Sequence, residues 1–243
     1  MTVTQGLGAP TVEATRTRAS SLLLELVGTA LLVAVVVSAA TSGRLLSDRG
    51  GIAGEVLLGS LAAAGGILAL GLAFPGVRAN PLLTLLDLIA DRVSMPDGVA
   101  RIVAQLLGGV AGGVLALWSF YGVHSVSFDL AGIDGFHVRD VLVNAVLGGL
   151  ALGLVGGAVL ARDRGQYVVP AVAAVTAAIG CGIDHVTWAN PAIAVARISH
   201  LSDPVAPAIP IAWVAVTVIG QVIGLAVAAA LLRLAAADEQ TDA

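Results

Sequence analysis

Read for runs of apolar positions, the chain divides into six long stretches and two short ones. Residues 22–40, 52–74, 101–121, 138–161, 167–185 and 209–232 each supply about the 20 apolar residues that a helix needs to cross the hydrocarbon core. Short polar or Gly-containing links such as "TSGRLLSDRGG", "SFDLAGIDGFH" and "RDRGQ" separate them. The first run follows Arg16 and Arg18 and precedes "SAATSG", which resembles a secretory signal. It is long enough to span, however, and comparable runs come after it, so it reads as the first membrane helix. Residues 1–20 and 237–243 read as mobile tails around a membrane domain at 21–236.

The two short stretches are "NPLLTLLDLIADR" from Asn80 and "NPAIAVARISH" from Asn190. Ten residues of helix reach about 15 Å, roughly half of the core. Each opens on Asn, a strong N-cap whose side-chain oxygen takes an unpaired backbone N–H. Pro follows at the first helical position, where its missing N–H costs nothing. Each Asn-Pro therefore predicts the first turn of a half-spanning helix. Asn80 and Asn190 are two of only three asparagines; the third is Asn144.

The short stretches follow the second and the fifth long run. Asn80 and Asn190 are 110 residues apart, and Gln105 and Gln221 are 116 apart. An odd number of spans per half inserts the second half upside down, with halves at about 21–122 and 138–234. Interrupted segments at matching places in two such halves point to a binding site or pore at the midplane. Two half-helices entering from opposite faces would meet N terminus to N terminus. Each end carries a partial positive charge of about half a unit. Facing each other, they form a barrier to cations and protons, while the Asn amides serve as donors to a neutral solute. The alternative is a generic helix start in each of two loops.

Composition agrees with the pattern. The chain is 58% hydrophobic and 12% charged, with a mean hydropathy of +0.97, against roughly 25% charged residues in soluble domains. The net charge of −4 and scattered basic residues give no sign of a nucleic-acid partner. All 12 basic residues are Arg, which has no evident functional meaning. With both termini inside, Arg16, Arg18, Arg92, Arg101, Arg162, Arg164 and Arg233 fall on the cytoplasmic side, and mainly Arg44, Arg49 and Arg139 on the other. The expected location is the plasma (inner) membrane. The lone Cys181 belongs to no metal-ligand spacing and reads as a small apolar side chain. There is no nucleophile–base pair, phosphate loop or redox motif, so neither an enzyme nor a cofactor is expected.

On these residues the chain resembles the aquaporins and aquaglyceroporins, the major intrinsic proteins. Their two Asn-Pro-Ala boxes compare with "NPA" at Asn190 and the variant "NPL" at Asn80. "ELVGTALLV" from Glu25 is similar to their first-helix phrase, and "AQLLGG" at Ala104 and "GQVIG" at Gly220 to their third- and sixth-helix phrases. The resemblance runs from about Leu22 to Leu232. It implies an all-α membrane fold of six transmembrane helices and two re-entrant half-helices in an inverted repeat, one pore per subunit, and a homotetramer among membrane lipids. Asn80 and Asn190 would stand at the pore centre. Glu25 would brace the adjoining loop, with Gln105 and Gln221 in the same set; the alternative for Glu25 is a place near enough to the interface to reach water.

The departures concern selectivity. Counted back from the boxes without gaps, the outer filter would consist of Ser60, Ala178, Thr187 and Ile193. Ile193 replaces the filter arginine, and no aromatic residue is among the four, so a wider and less polar constriction is expected. "WANPAIAVAR" looks like a bacterial subgroup with an aliphatic residue at that place, some of it linked to arsenical transport. Asn144 stands where a second bracing Glu is expected, leaving a weaker acceptor. Arg78 stands where the family often has His and would either line the inner mouth or brace its loop. Asp87 and Asp91, on one face of the first short helix, are placed to neutralise Arg78 or Arg92. Arg197 reads as a structural ion-pair partner. Asp184 and His185 either attract solutes in an outer vestibule or are ordinary loop residues. The expected function is a passive channel for water or small uncharged solutes such as glycerol, urea or metalloid acids. The rival is a secondary transporter that uses the half-helix termini to bind an anion, and a non-conducting relative is a third reading.

Overall fold

Eight helices follow one another along the chain in the computed structural model, which describes residues 18–46, 52–119, 138–161, 167–184, 187–196 and 211–241. They are α1 (Arg18–Leu46), α2 (Ile52–Ala73), α3 (Pro81–Ile89), α4 (Met95–Ser119), α5 (Val138–Ala161), α6 (Val168–Gly182), α7 (Pro191–Ala196) and α8 (Ile211–Thr241). Among the described residues, α1, α2, α4, α5 and α8 are long and apolar enough to cross a membrane. The sixth expected span is shorter than its apolar run: α6 has 15 residues, about 22 Å of helix. Its last turn closes where the N–H groups of Ile183 and Asp184 both bond to the Ile179 carbonyl.

Elsewhere the helices depart from the apolar runs for identifiable local reasons. Helix α4 starts six residues before the expected Arg101, because Ser94 and Asp97 form a capping pair: Ser94 Oγ donates to Asp97 Oδ2 at 2.6 Å and accepts from Asp97 N at 3.3 Å. At the other end of the chain, α8 continues to Thr241, so most of the expected mobile tail is helical. Ala, Glu and Gln in "AAADEQ" are good helix formers outside an apolar run. Helix α3 stops at Ile89 rather than running to Arg92. Asp91 takes a left-handed conformation (φ 55°), and the N–H groups of Asp91 and Arg92 return to the carbonyls of Leu88 and Asp87. This is the Schellman ending, with Asp where Gly is usual. Arg92 is thereby turned toward α5 and donates to the Leu160 carbonyl at 2.7 Å. Of the second short stretch, 191–196 are helical, and Arg197 and His200 lie outside the described residues.

The long helices pack as two similar groups. Helix α1 lies against α2 and α4, α5 lies against α6 and α8, and α2 meets α6 between the groups. Lipid is as apolar as Leu, so helices gain little from hydrophobicity alone and rely on close packing of small residues. At Gly112 an added Cβ would overlap the Ala30 carbonyl of α1; at Gly224 it would overlap the Val146 carbonyl of α5. Leu23, Val27, Leu31 and Val35 form an exposed apolar stripe along α1, as a face toward lipid or another subunit requires.

The half-helices are housed crosswise. Leu82, Leu83 and Leu86 of α3 pack with Leu152 and Leu160 of α5, Val172 and Ile179 of α6 and Leu225 of α8. Ala192, Ile193 and Ala196 of α7 pack with Val33, Val36 and Val37 of α1, Ala63 of α2 and Ala116 of α4. Each half of the chain thus supplies a short helix to the core of the other half.

Candidate functional site

Crosswise housing brings the N termini of α3 and α7 together in the interior. Asn80 caps α3 with an extended backbone (φ −150°, ψ 117°), and its Oδ1 accepts from Leu82 N at 2.9 Å. Asn190 Oδ1 accepts from Ala192 N at 2.9 Å in the same way. The other side of each amide reaches across. Asn80 Nδ2 donates to the Ala189 carbonyl at 3.2 Å, and Asn190 Nδ2 donates to the Ala79 carbonyl at 3.0 Å. Ala79 and Ala189 are left-handed (φ 50° and 51°), which turns their carbonyls toward the opposite box. One N–H on each amide is so engaged, and a primary amide carries two. Pro81 and Pro191 lack the N–H that would otherwise compete at the first helical position.

A carboxylate holds each box loop, and the two arrive from different places. In the first loop it is Glu25 of α1, 1% exposed. It accepts from Arg78 N at 3.1 and 3.2 Å, Ala79 N at 3.1 Å and Gln105 Nε2 at 2.9 Å. Gln105 also donates to Thr84 Oγ1 of α3 at 2.9 Å. A buried carboxylate is tolerable only when its lone pairs are filled, and these donors fill them. Glu25 is therefore an interior loop brace and does not reach water at the interface.

In the second loop the carboxylate is Asp184. It accepts from Thr187 N at 2.9 Å, Ala189 N at 3.3 Å and Gln221 Nε2 at 3.3 Å, and the Thr187 hydroxyl donates to it through a short bond. Gln221 Nε2 also donates to Thr187 Oγ1 at 2.6 Å. Asp184 is thus buried inside its own loop and is not a vestibule residue, while His185 lies outside the described residues. Asn144 is partly buried and, among the described residues, its side chain makes no hydrogen bond to the loop. The brace expected from α5 has been replaced by a local one.

Beside the box tips lies a narrow cavity of about 10 Å³, lined by Leu32, Val36, Ala63, Ile67, Arg78, Asn80, Leu83, Thr176, Trp188, Asn190 and Ile193. That is room for roughly one water molecule. Of the four filter positions counted from sequence, Ile193 alone is in this lining. Thr187 is turned into the Asp184 brace. Ser60 is buried behind Trp188, whose Nε1 donates to Ser60 Oγ at 3.1 Å. Ala178 is exposed, in line with exposed Ala174 on α6, while Thr176 and Gly180 are buried on its inner face; a count without gaps puts the helix out of phase by about half a turn. An aromatic residue outside those four positions, Trp188, stands in this lining, where a constriction without an aromatic was expected. Arg78 lines the cavity and also braces, with Nε and Nη2 on Asp87 at 2.6 and 3.1 Å.

Sequence reading passed over Trp188, Thr176, Leu32 and Val36. Thr176 was visible as the one hydroxyl residue in α6, "VVPAVAAVTAAIGCG". Nothing local marks Trp188, whose direction follows from a left-handed backbone (φ 50°).

No family model and no curated relative matches the chain. Among solved structures it is similar to the X-ray structure of the aquaglyceroporin from Plasmodium falciparum, at 17% identity and a TM-score of 0.69. The alignment covers 88% of this chain and 94% of that one. The fold is therefore aquaporin-like, that of a multi-pass membrane protein with two half-helices in an inverted repeat.

Proposed function

We propose that the protein is a passive channel for water and small uncharged solutes, acting in the plasma membrane as a homotetramer with both termini cytoplasmic. The observation that carries this reading is the meeting of the two capped half-helix N termini at a narrow cavity, each Asn amide retaining a second N–H. Two partial positive ends aimed at one point disfavour a cation or hydrated proton. Arg78 adds a positive group to the lining, balanced by Asp87. The transporter reading needs acids free to bind a coupling ion. Glu25, Asp87 and Asp184 are instead occupied by backbone, amide or guanidinium donors, so the channel reading is preferred and no catalytic role is assigned.

The test is stopped-flow light scattering on liposomes containing the purified full chain, with gradients of sucrose, glycerol, urea and arsenite. Osmotic equilibration faster than in protein-free liposomes, insensitive to a pH gradient and linear in solute concentration, is the expected result. A saturable flux that requires a proton gradient would establish the transporter instead.

A further inference from the structure

We propose that the indole of Trp188 sets the bore of the pathway, and that the Thr176 hydroxyl is the polar station facing it. This rests on the channel reading and, of the four gap-free positions, keeps Ile193 alone in the filter. Trp188 is 2% exposed although it sits on a loop, and the ring is held between α2 and α6 while also lining the cavity. An added Cβ at Gly59 of α2 or at Gly180 of α6 would overlap it, so the ring fills a slot that two missing side chains create. Its N–H is spent on Ser60. The left-handed backbone at Trp188 is costly for a bulky residue and persists only where the surroundings enforce it. Here the Trp188 N–H bonds to the Asp184 carbonyl at 3.0 Å, and Asp184 also holds the residues on both sides. The brace and the ring are therefore one unit.

Thr176 supplies an independent observation. Thr29 and Thr41 return their hydroxyls to the carbonyls four residues earlier, at 2.6 and 2.9 Å, as helical threonines commonly do. Thr176 is a lining residue of the cavity, and its buried Oγ1 has no partner among the described residues. A hydroxyl left so is unfavourable unless a molecule in the cavity completes it. The lining then combines apolar groups (the indole, Val36 and Ile193) with polar ones (Thr176 and the two box asparagines). It admits uncharged molecules of about the cross-section of water, one at a time, and rejects bulkier ones on the indole.

The experiment compares water and glycerol permeabilities of the full chain in liposomes for wild type, Trp188→Ala, Ser60→Ala and Thr176→Val, each checked for helicity and monodispersity. Trp188→Ala is expected to raise the glycerol-to-water ratio by about tenfold or more, since volume-based discrimination by a pocket is worth at least that. Ser60→Ala, which only frees the ring, raises it by about two- to fivefold, and Thr176→Val lowers water flux by about fivefold, each corresponding to one hydrogen bond. An inert wild type whose Trp188→Ala variant conducts also supports the proposal, with the ring closing the bore. Should Trp188→Ala fail to fold, Ser60→Ala decides. A conducting wild type whose ratio is unmoved by the folded variants overturns this inference alone. Wild type and folded variants all inert would overturn the channel reading, and this inference with it.

Discussion

Both box loops are held by a carboxylate and a glutamine, but the first is tied to a long helix and the second chiefly to itself. Glu25 reaches Arg78 across 53 residues of sequence, whereas Asp184 binds residues three to five positions onward. Gln221 carries the second brace to a neighbouring helix, α8. The consequences gather on one side. The second loop puts two consecutive non-glycine residues, Trp188 and Ala189, in the left-handed region, where the first puts Ala79 and a glycine, Gly76, which adopts it at little cost. Both buried side-chain polar atoms without a partner among the described residues, Thr176 Oγ1 and Gln221 Oε1, belong to the second half. A brace brought in from a helix takes no side chain of the loop itself, so that Arg78 can pair with Asp87; a brace built from the loop consumes Thr187 and decides where Trp188 points.

The contrast can be broken by mutation, beginning with the largest effect. Glu25→Ala removes the acceptor of two backbone N–H groups and of Gln105, and should destabilise by about 3–5 kcal/mol, read by denaturant titration in detergent. Asp184→Ala should cost less, about 2–3 kcal/mol, because the Gln221–Thr187 bond survives. If Asp184→Ala proved the costlier change, the description of the second brace as the weaker anchor would be wrong. Gly148, one turn beyond Asn144 on α5, faces Asp184 and Ala189, so a helix-borne carboxylate has a route to the loop. Asn144→Glu should therefore restore about 1 kcal/mol in the Asp184→Ala background and be neutral or unfavourable in wild type, where two carboxylates would share one site. Smallest is Thr176→Val, which removes an unpartnered hydroxyl at equal shape and should change stability by about 0 to 1 kcal/mol in the stabilising direction. A clear loss would mean that the hydroxyl has a protein partner.

Much of the first half was legible in the chain because its devices are local or carried on long helices. Asn-Pro specifies a capped helix start wherever it lies, and a Glu in an apolar run has to find donors. The inverted repeat was legible from matching Asn and Gln positions. The second loop was not, since Asp184, Thr187 and Trp188 have no meaning until the loop closes on itself. Counting back from the box presumes one backbone path between α6 and α7, and Ala178 shows the result: two positions from Thr176 on a helix is another face. The helix limits missed at α3, α4 and α8 came from polar capping and from good helix formers, which hydropathy does not register.

The crosswise lodging of α3 and α7 bears on how the chain assembles. When α1 to α4 have entered the bilayer, Leu82, Leu83 and Leu86 still lack the walls that α5, α6 and α8 provide. The N-terminal portion must therefore wait, its short helix sheltered on the α4 side only, until the C-terminal portion is made. Neither portion is an independent folding unit, and a chain severed between 119 and 138 should regain protease resistance only when both fragments are synthesised together.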